Sequence, residues 1–217
     1  MGISTYADLK SQVAVSLNRT NLTSQIPYFV QLAETRIAYG SQEQPLESQP
    51  LRIRAMETAS DLALVGGTQT VALPTGFLQQ RRLYISGTPI IKPQFVAPDG
   101  FWGRWFSYNS GQPVEYTIEG ENYVFGPTPA SNYTGKTLYY KKFTALSSDS
   151  DTNWLLTNAP GVYLHGTLIE AYKYIRNMDQ AAASLNNFCG VVNALNSADR
   201  SDRHSTPWVA RNDSWTP

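Results

Sequence analysis

Pro160-Gly161-Val162-Tyr163-Leu164-His165-Gly166-Thr167-Leu168-Ile169-Glu170-Ala171-Tyr172-Lys173-Tyr174-Ile175 is the stretch on which the fold turns. Pro160 suits a first helical turn, and Leu164, Leu168, Ala171, Tyr172 and Ile175 follow at spacings of three and four, so a helix ending near Asn177 is expected. Asp179 is placed to cap another, with a seam of Ala182, Leu185, Phe188, Val192 and Leu195. Ala181 to Ala183 permit a neighbour to approach closely. The position of these helices is what matters, because everything from about Leu51 to Leu146 reads as strands and tight turns.

The chain also opens on helices. Tyr6, Leu9, Val13 and Leu17 share one face behind a capping-box start, Thr5 with Asp8. A second helix follows Thr23 and Ser24, carries Pro27 in its first turn, shows Ile26, Phe29, Val30, Ala33 and Ile37 on one side, and stops at Gly40. Gly40 to Pro50 is a polar connector. The strand signals beyond it are Thr70 to Leu73, a hairpin pairing Arg81–Ser86 with Ile90–Lys92, and a hairpin pairing Val114–Ile118 with Asn122–Phe125. Lys136 to Phe143 alternates as a strand with one packed face does. Ser147-Ser148-Asp149-Ser150-Asp151 is loop chemistry.

Each terminal helix pair is too short to bury its own apolar stripe, so the two pairs are expected to pack on each other. The fold class expected is α+β: a discontinuous helical bundle of N- and C-terminal helices, with an inserted antiparallel β-sandwich or small barrel. The expected limits are 1–50 with 147–203 for the bundle, 51–146 for the insert, and 204–217 for a C-terminal docking tail.

Composition removes several classes of function. Seventeen basic and seventeen acidic residues give a formal charge of +0, so no whole-chain field gathers nucleic acid or an anionic membrane. Charged residues are 16% and aromatics 12%, a surface that is easier to desolvate against a protein than one crowded with Lys and Glu. Cys189 is the single cysteine, which rules out an internal disulfide or a multi-thiolate zinc site, and it reads as a buried structural thiol. No signal peptide and no run of roughly 18 apolar residues is evident, so a cytoplasmic site of synthesis and no membrane partner are expected. His165 and His204 have no metal-ligand spacing, and no GxSxG, GxxxxGK[ST] or GxGxxG motif occurs. Asp149 and Asp151 lack the remainder of a calcium loop and read as loop caps. No catalytic, metal or cofactor residue is assigned.

Two aromatic groups remain. Phe101-Trp102-Gly103-Arg104-Trp105-Phe106 lies in a long loop or short helix over an open end of the sheet. Phe101, Trp102, Trp105 and Phe106 are read as a hydrophobic plug or a subunit or tail contact, the alternative being a glycan-binding platform. A hydrolase built on Glu115 with Glu119 or Glu121 ranks below both. Trp208 and Trp215, with Arg203 and Arg211, punctuate the polar C-terminal segment, where tryptophans need a pocket on this chain or on a partner.

Several phrases, in order along the chain, carry a resemblance. They are Tyr6-Ala7-Asp8-Leu9-Lys10, Ile26-Pro27-Tyr28-Phe29 running into Leu32-Ala33-Glu34-Thr35-Arg36-Ile37, and Leu51-Arg52-Ile53-Arg54-Ala55-Met56-Glu57. Leu73-Pro74-Thr75-Gly76-Phe77-Leu78, Gly126-Pro127-Thr128-Pro129, Thr152-Asn153-Trp154-Leu155-Leu156 and Asn196-Ser197-Ala198-Asp199-Arg200 continue the series. Together they resemble the head-to-tail adaptor proteins of tailed bacteriophages, the group that includes tail tubular protein A. The resemblance implies a virion protein without a reaction, forming a ring of typically about twelve copies. It implies a seat between the portal protein and the tail nozzle, with double-stranded DNA passing through unread. On that reading Trp208, Trp215, Arg203 and Arg211 meet the portal.

Overall fold

The computed structural model describes residues 2–19, 21–105 and 109–203. These form helices α1 (Tyr6–Leu17), α2 (Ile26–Tyr39), α3 (Pro98–Trp105), α4 (Trp154–Asn158), α5 (Pro160–Tyr174) and α6 (Met178–Arg203). The strands are β1 (Glu57–Leu64), β2 (Thr70–Ala72), β3 (Phe77–Ile85), β4 (Gln94–Phe95), β5 (Ser110–Gly111), β6 (Glu115–Glu119), β7 (Asn122–Gly126), β8 (Thr128–Pro129) and β9 (Tyr133–Lys141). The chain divides after Ala55 and after Lys142: the two outer segments form one unit and Met56–Lys142 the other.

In the helical unit, α1 starts at a capping box in which the Asp8 amide donates to Thr5 Oγ1 at 3.2 Å and Asp8 Oδ2 accepts the Thr5 amide at 3.0 Å. Its buried residues are Tyr6, Leu9, Val13 and Leu17, the expected face. Helix α2 ends at Gly40, whose φ of +74° suits glycine, and a Cβ there would sit 2.5 Å from the Ser48 carbonyl oxygen. The Ser147 and Ser148 amides donate to Asp151 Oδ2 at 2.8 and 2.7 Å, the loop capping foreseen for that run. Helix α4, which periodicity is too short to announce, is capped by Asn153 Oδ1 accepting the Leu156 amide.

Helix α5 packs against α1, α2, α4 and α6. Its burial therefore runs almost all round, from Val162 and Tyr163 through Gly166 to Ala171, and the expected stripe through Leu164 is too narrow. At Gly166 three helices meet: a Cβ there would lie 3.3 Å from both the Ala33 methyl on α2 and the Phe188 ring on α6. The cap of α6 is Asn177, whose Oδ1 accepts the Gln180 amide, rather than Asp179. Its seam is Ala181, Ser184, Leu185, Phe188 and Val192, with Ala182 exposed and Leu195 half-buried. Ala182 fails because successive steps of three drift off a helix face, whereas 181–185–188–192 alternates four and three. Residues 51–55, grouped on sequence with the strands, pack with the helices, since Leu51 and Ile53 are fully buried there.

In the β unit, β9 lies between β1 and β3, antiparallel to both. A second sheet runs β2-β7-β6-β4 and a two-stranded one pairs β5 with β8. The β4–β6 and β5–β8 pairs are parallel, so the sheets are mixed rather than wholly antiparallel, and among the described residues none closes into a barrel. The hairpin expected at Arg81–Lys92 reduces to one bridge, Ile85 with Ile91, because β3 gives its ladder to β9. The β6–β7 hairpin forms as expected, turning at Gly120. Leu62, Leu64, Leu83 and Ile85 from the first sheet join Tyr116, Tyr123 and Phe125 from the second in one apolar cluster. Along β9 the buried face carries Gly135, Thr137 and Tyr139.

Candidate functional site

Where the chain leaves the helical unit, Pro50 to Arg54 runs alongside the C-terminal half of α6. Leu51 and Ile53 point into the core, and the intervening Arg52 and Arg54 amides meet side chains three residues apart on the helix. Asn196 Oδ1 accepts the Arg52 amide at 2.9 Å, and its Nδ2 donates to the Pro50 carbonyl at 3.3 Å. Asp199 Oδ1 accepts the Arg54 amide at 2.7 Å and Arg54 Nε at 3.3 Å. Residues i and i+3 lie on one helical face, so the pair acts as a substitute for a neighbouring strand. Two phrases noticed separately in the sequence, Leu51–Glu57 and Asn196–Arg200, are thus two sides of one structure.

Arg203 belongs to the same cluster. Its Nε donates to Asp199 Oδ2 at 2.6 Å, one turn along α6, and Arg54 also reaches Asp202 at 2.7 Å. Burial pushes the Asp199 carboxyl up, but the Arg54 amide and the Arg203 and Arg54 guanidinium groups together hold it below the usual carboxylate range.

The return crossing has its own fastening. Glu34 Oε1 accepts the Leu146 amide at 2.9 Å and the Tyr163 hydroxyl at 3.3 Å, while Asn153 donates to that hydroxyl and to the Thr144 carbonyl. Two residues along α2, the buried Arg36 donates to Glu170 Oε1 at 2.7 and 3.0 Å, to the Leu46 carbonyl at 2.8 Å and to Ser48 Oγ at 3.3 Å. The sequence analysis gives Glu34 and Arg36 no structural role; the signal for them is two charged residues set among the apolar positions of α2.

In the β unit, α3 rests on the β6–β7 hairpin. Phe101 is fully buried and anchors the helix within the unit. The Trp105 indole N–H donates to Glu115 Oε2 at 2.8 Å, Arg104 pairs with the same carboxylate, and the Trp102 indole N–H donates to Glu119. Trp105 lies so close over Gly126 that a Cβ at that position would be 2.5 Å from the indole. Its ring face is therefore occupied, and Trp102 keeps 38% of its surface exposed. The carboxylates once weighed as a hydrolytic pair, Glu115 and Glu119, serve as acceptors for α3. Phe106, Arg211, Trp208 and Trp215 lie outside the described residues.

The remaining candidates sit apart. His165 is half-buried on α5, its Nδ1 has no hydrogen-bond partner among the described residues, and burial lowers its pKa. Cys189 is half-buried rather than fully buried, at the edge of an open polar hollow of about 330 Å³ shared with Glu47, Ser48 and Asn193. Burial pushes its thiol up, against the opposing field of Arg36. Among the described residues no three His, Cys, Asp or Glu side chains converge on a metal position, and no helix is long and apolar enough to cross a membrane.

The model of a family described as SU10 adaptor protein matches residues 4–211. No curated protein matches the chain.

Proposed function

The chain belongs to the SU10 adaptor family, a family of phage head-tail adaptors, and from that premise we propose that it is the connector ring between portal and tail. Membership makes it a structural virion component that assembles with other virion proteins. The finer reading is a ring of about twelve copies, formed by a heterologous contact that closes at one rotation, seated between the portal protein and the tail nozzle. DNA passes through it without being read. The segment after Arg203, with Arg211, Trp208 and Trp215, docks on the portal, with Arg203 at its base held by Asp199, and the α3 region bearing the buried Phe101 with Trp102, Trp105 and, next in sequence, Phe106 meets a neighbouring subunit or the next tail component.

The observation that carries this reading is the extent of the family match. It spans both units and runs past Arg203 into the C-terminal segment, so the likeness covers the full layout and not one module. The equal count of basic and acidic residues agrees with a conduit, because a strongly basic wall would retain phosphates. The test mixes the intact chain, and a chain lacking Ser205 to Pro217, with the cognate portal protein and follows co-sedimentation and electron microscopy. Intact chain should sediment with portal as a ring of countable subunits, and the shortened chain should stay soluble and unattached. Equal co-sedimentation of the two would refute the docking assignment.

A further inference from the structure

We propose that Asp199 is a coupling element through which the last turn of α6 sets the state of the linker that enters the β unit. Its two oxygens face two different clients. Oδ2 is held by Arg203, the residue that ends α6, and Oδ1 holds the amide and Nε of Arg54, which opens the 3₁₀ turn Arg54–Met56 leading into β1. A carboxylate is planar and rigid, so rotation that follows Arg203 carries Oδ1 with it. Only 10% of the Asp199 side chain is exposed, which leaves water little access to replace a lost partner.

The upstream contact shows where the give lies. Asn196 accepts the Arg52 amide and donates to the Pro50 carbonyl, and Leu51 and Ile53 are buried, so the linker is pinned from Pro50 to Ile53 whatever Arg203 does. Past that point the Arg54 amide depends on Asp199, and Asp199 shares its charge with Arg203. The switchable part is confined to Arg54–Met56. The inference meets the proposed function in one respect: docking of the segment that follows Arg203 would load this turn and be felt at the start of the β unit.

The test is amide hydrogen exchange on the full chain, comparing wild type with Arg203→Ala, Arg203→Lys and Asp199→Asn. Arg203→Ala should speed exchange of the Arg54–Met56 amides by about fivefold to tenfold, the amides of α2 should keep their rates, and Arg203→Lys should restore part of the protection. Wild-type rates at Arg54–Met56 in Arg203→Ala, with acceleration in Asp199→Asn alone, would overturn the proposal by reducing Asp199 to a local pin. These measurements use free protein, so they stand even if the chain fails to bind portal. In a portal complex, slower exchange at Arg54–Met56 in wild type but not in Arg203→Ala supports transmission, and no change in either overturns it.

Discussion

The two units place their charges in opposite ways. In the helical unit Arg36 and Glu170 are 4% and 8% exposed, and Asp199 and Glu34 each take a backbone amide of a crossing segment. In the β unit the ion pairs Arg81–Glu57 and Lys136–Asp61 lie on the open face of the first sheet, and the interior is Leu, Ile, Tyr and Phe. Helices satisfy their own backbones and leave connecting segments to be tied down by side chains, whereas strands satisfy one another. Charge is therefore built into the core of the helical unit, whereas in the β unit it stays outside the apolar cluster, on the open sheet face and under α3.

The largest effect expected is for Arg36→Met, which leaves the buried Glu170 with Lys173 as its one remaining ion-pair partner among the described residues and frees the Leu46–Ser48 connector. Urea unfolding should show a loss of about 3 kcal/mol, the low end for breaking a buried pair because Lys173 still faces Glu170. Next comes Asp199→Asn, which removes the charge from three hydrogen bonds and should lower stability by about 1–2 kcal/mol at neutral pH. Since the folded carboxyl titrates lower than an unfolded one, its contribution is present above the ordinary carboxylate pKa and fades as pH falls through the folded value. The gap between wild type and Asp199→Asn should accordingly narrow in acid.

In the β unit, Tyr123→Phe should be milder, about 1 kcal/mol, because Gln80 and Thr137 still bond to each other once the hydroxyl is gone. Burial pushes the Tyr123 phenol up to about 12. Its contribution is whole below the unfolded tyrosine pKa and is lost as pH rises toward the folded one, so Tyr123→Phe should blunt alkaline unfolding. Smallest of all, Arg81→Ala should change stability by about 0.5 kcal/mol or less, since the guanidinium it removes from Glu57 is half in water. A loss there as large as that of Arg36→Met would erase the contrast between the units.

What was legible in the sequence were the features whose cause lies within one turn of chain. The Thr5–Asp8 box, Pro27, the stop at Gly40 and the hairpin turning at Gly120 all have local causes, and all formed. The pairing of β9 with both β1 and β3 joins residues as far apart as Glu57 and Tyr140, and nothing local in either strand names its partner. The same is true of Arg54 and Asp199, each of which reads alone as a solvated charge. The structure buries Ala181 where periodicity selects Ala182, because a run of three alanines gives periodicity nothing to choose between. For the aromatic loop, composition grouped Phe101 with Trp102, Trp105 and Phe106, and showed neither that Phe101 is the buried anchor nor that the glycine at 126 admits the Trp105 ring.

The packing of α5 against α1, α2 and α6 also sets a timetable. A ribosome adding roughly 5–20 residues per second leaves the first two helices waiting many seconds for their partner to emerge. During that interval Leu9, Val13, Phe29 and Ala33 have no α5 to cover them, while Met56–Lys142 is already complete. The strand-built middle is thus free to mature ahead of the helices that precede it, which stay uncovered until α5 has been made.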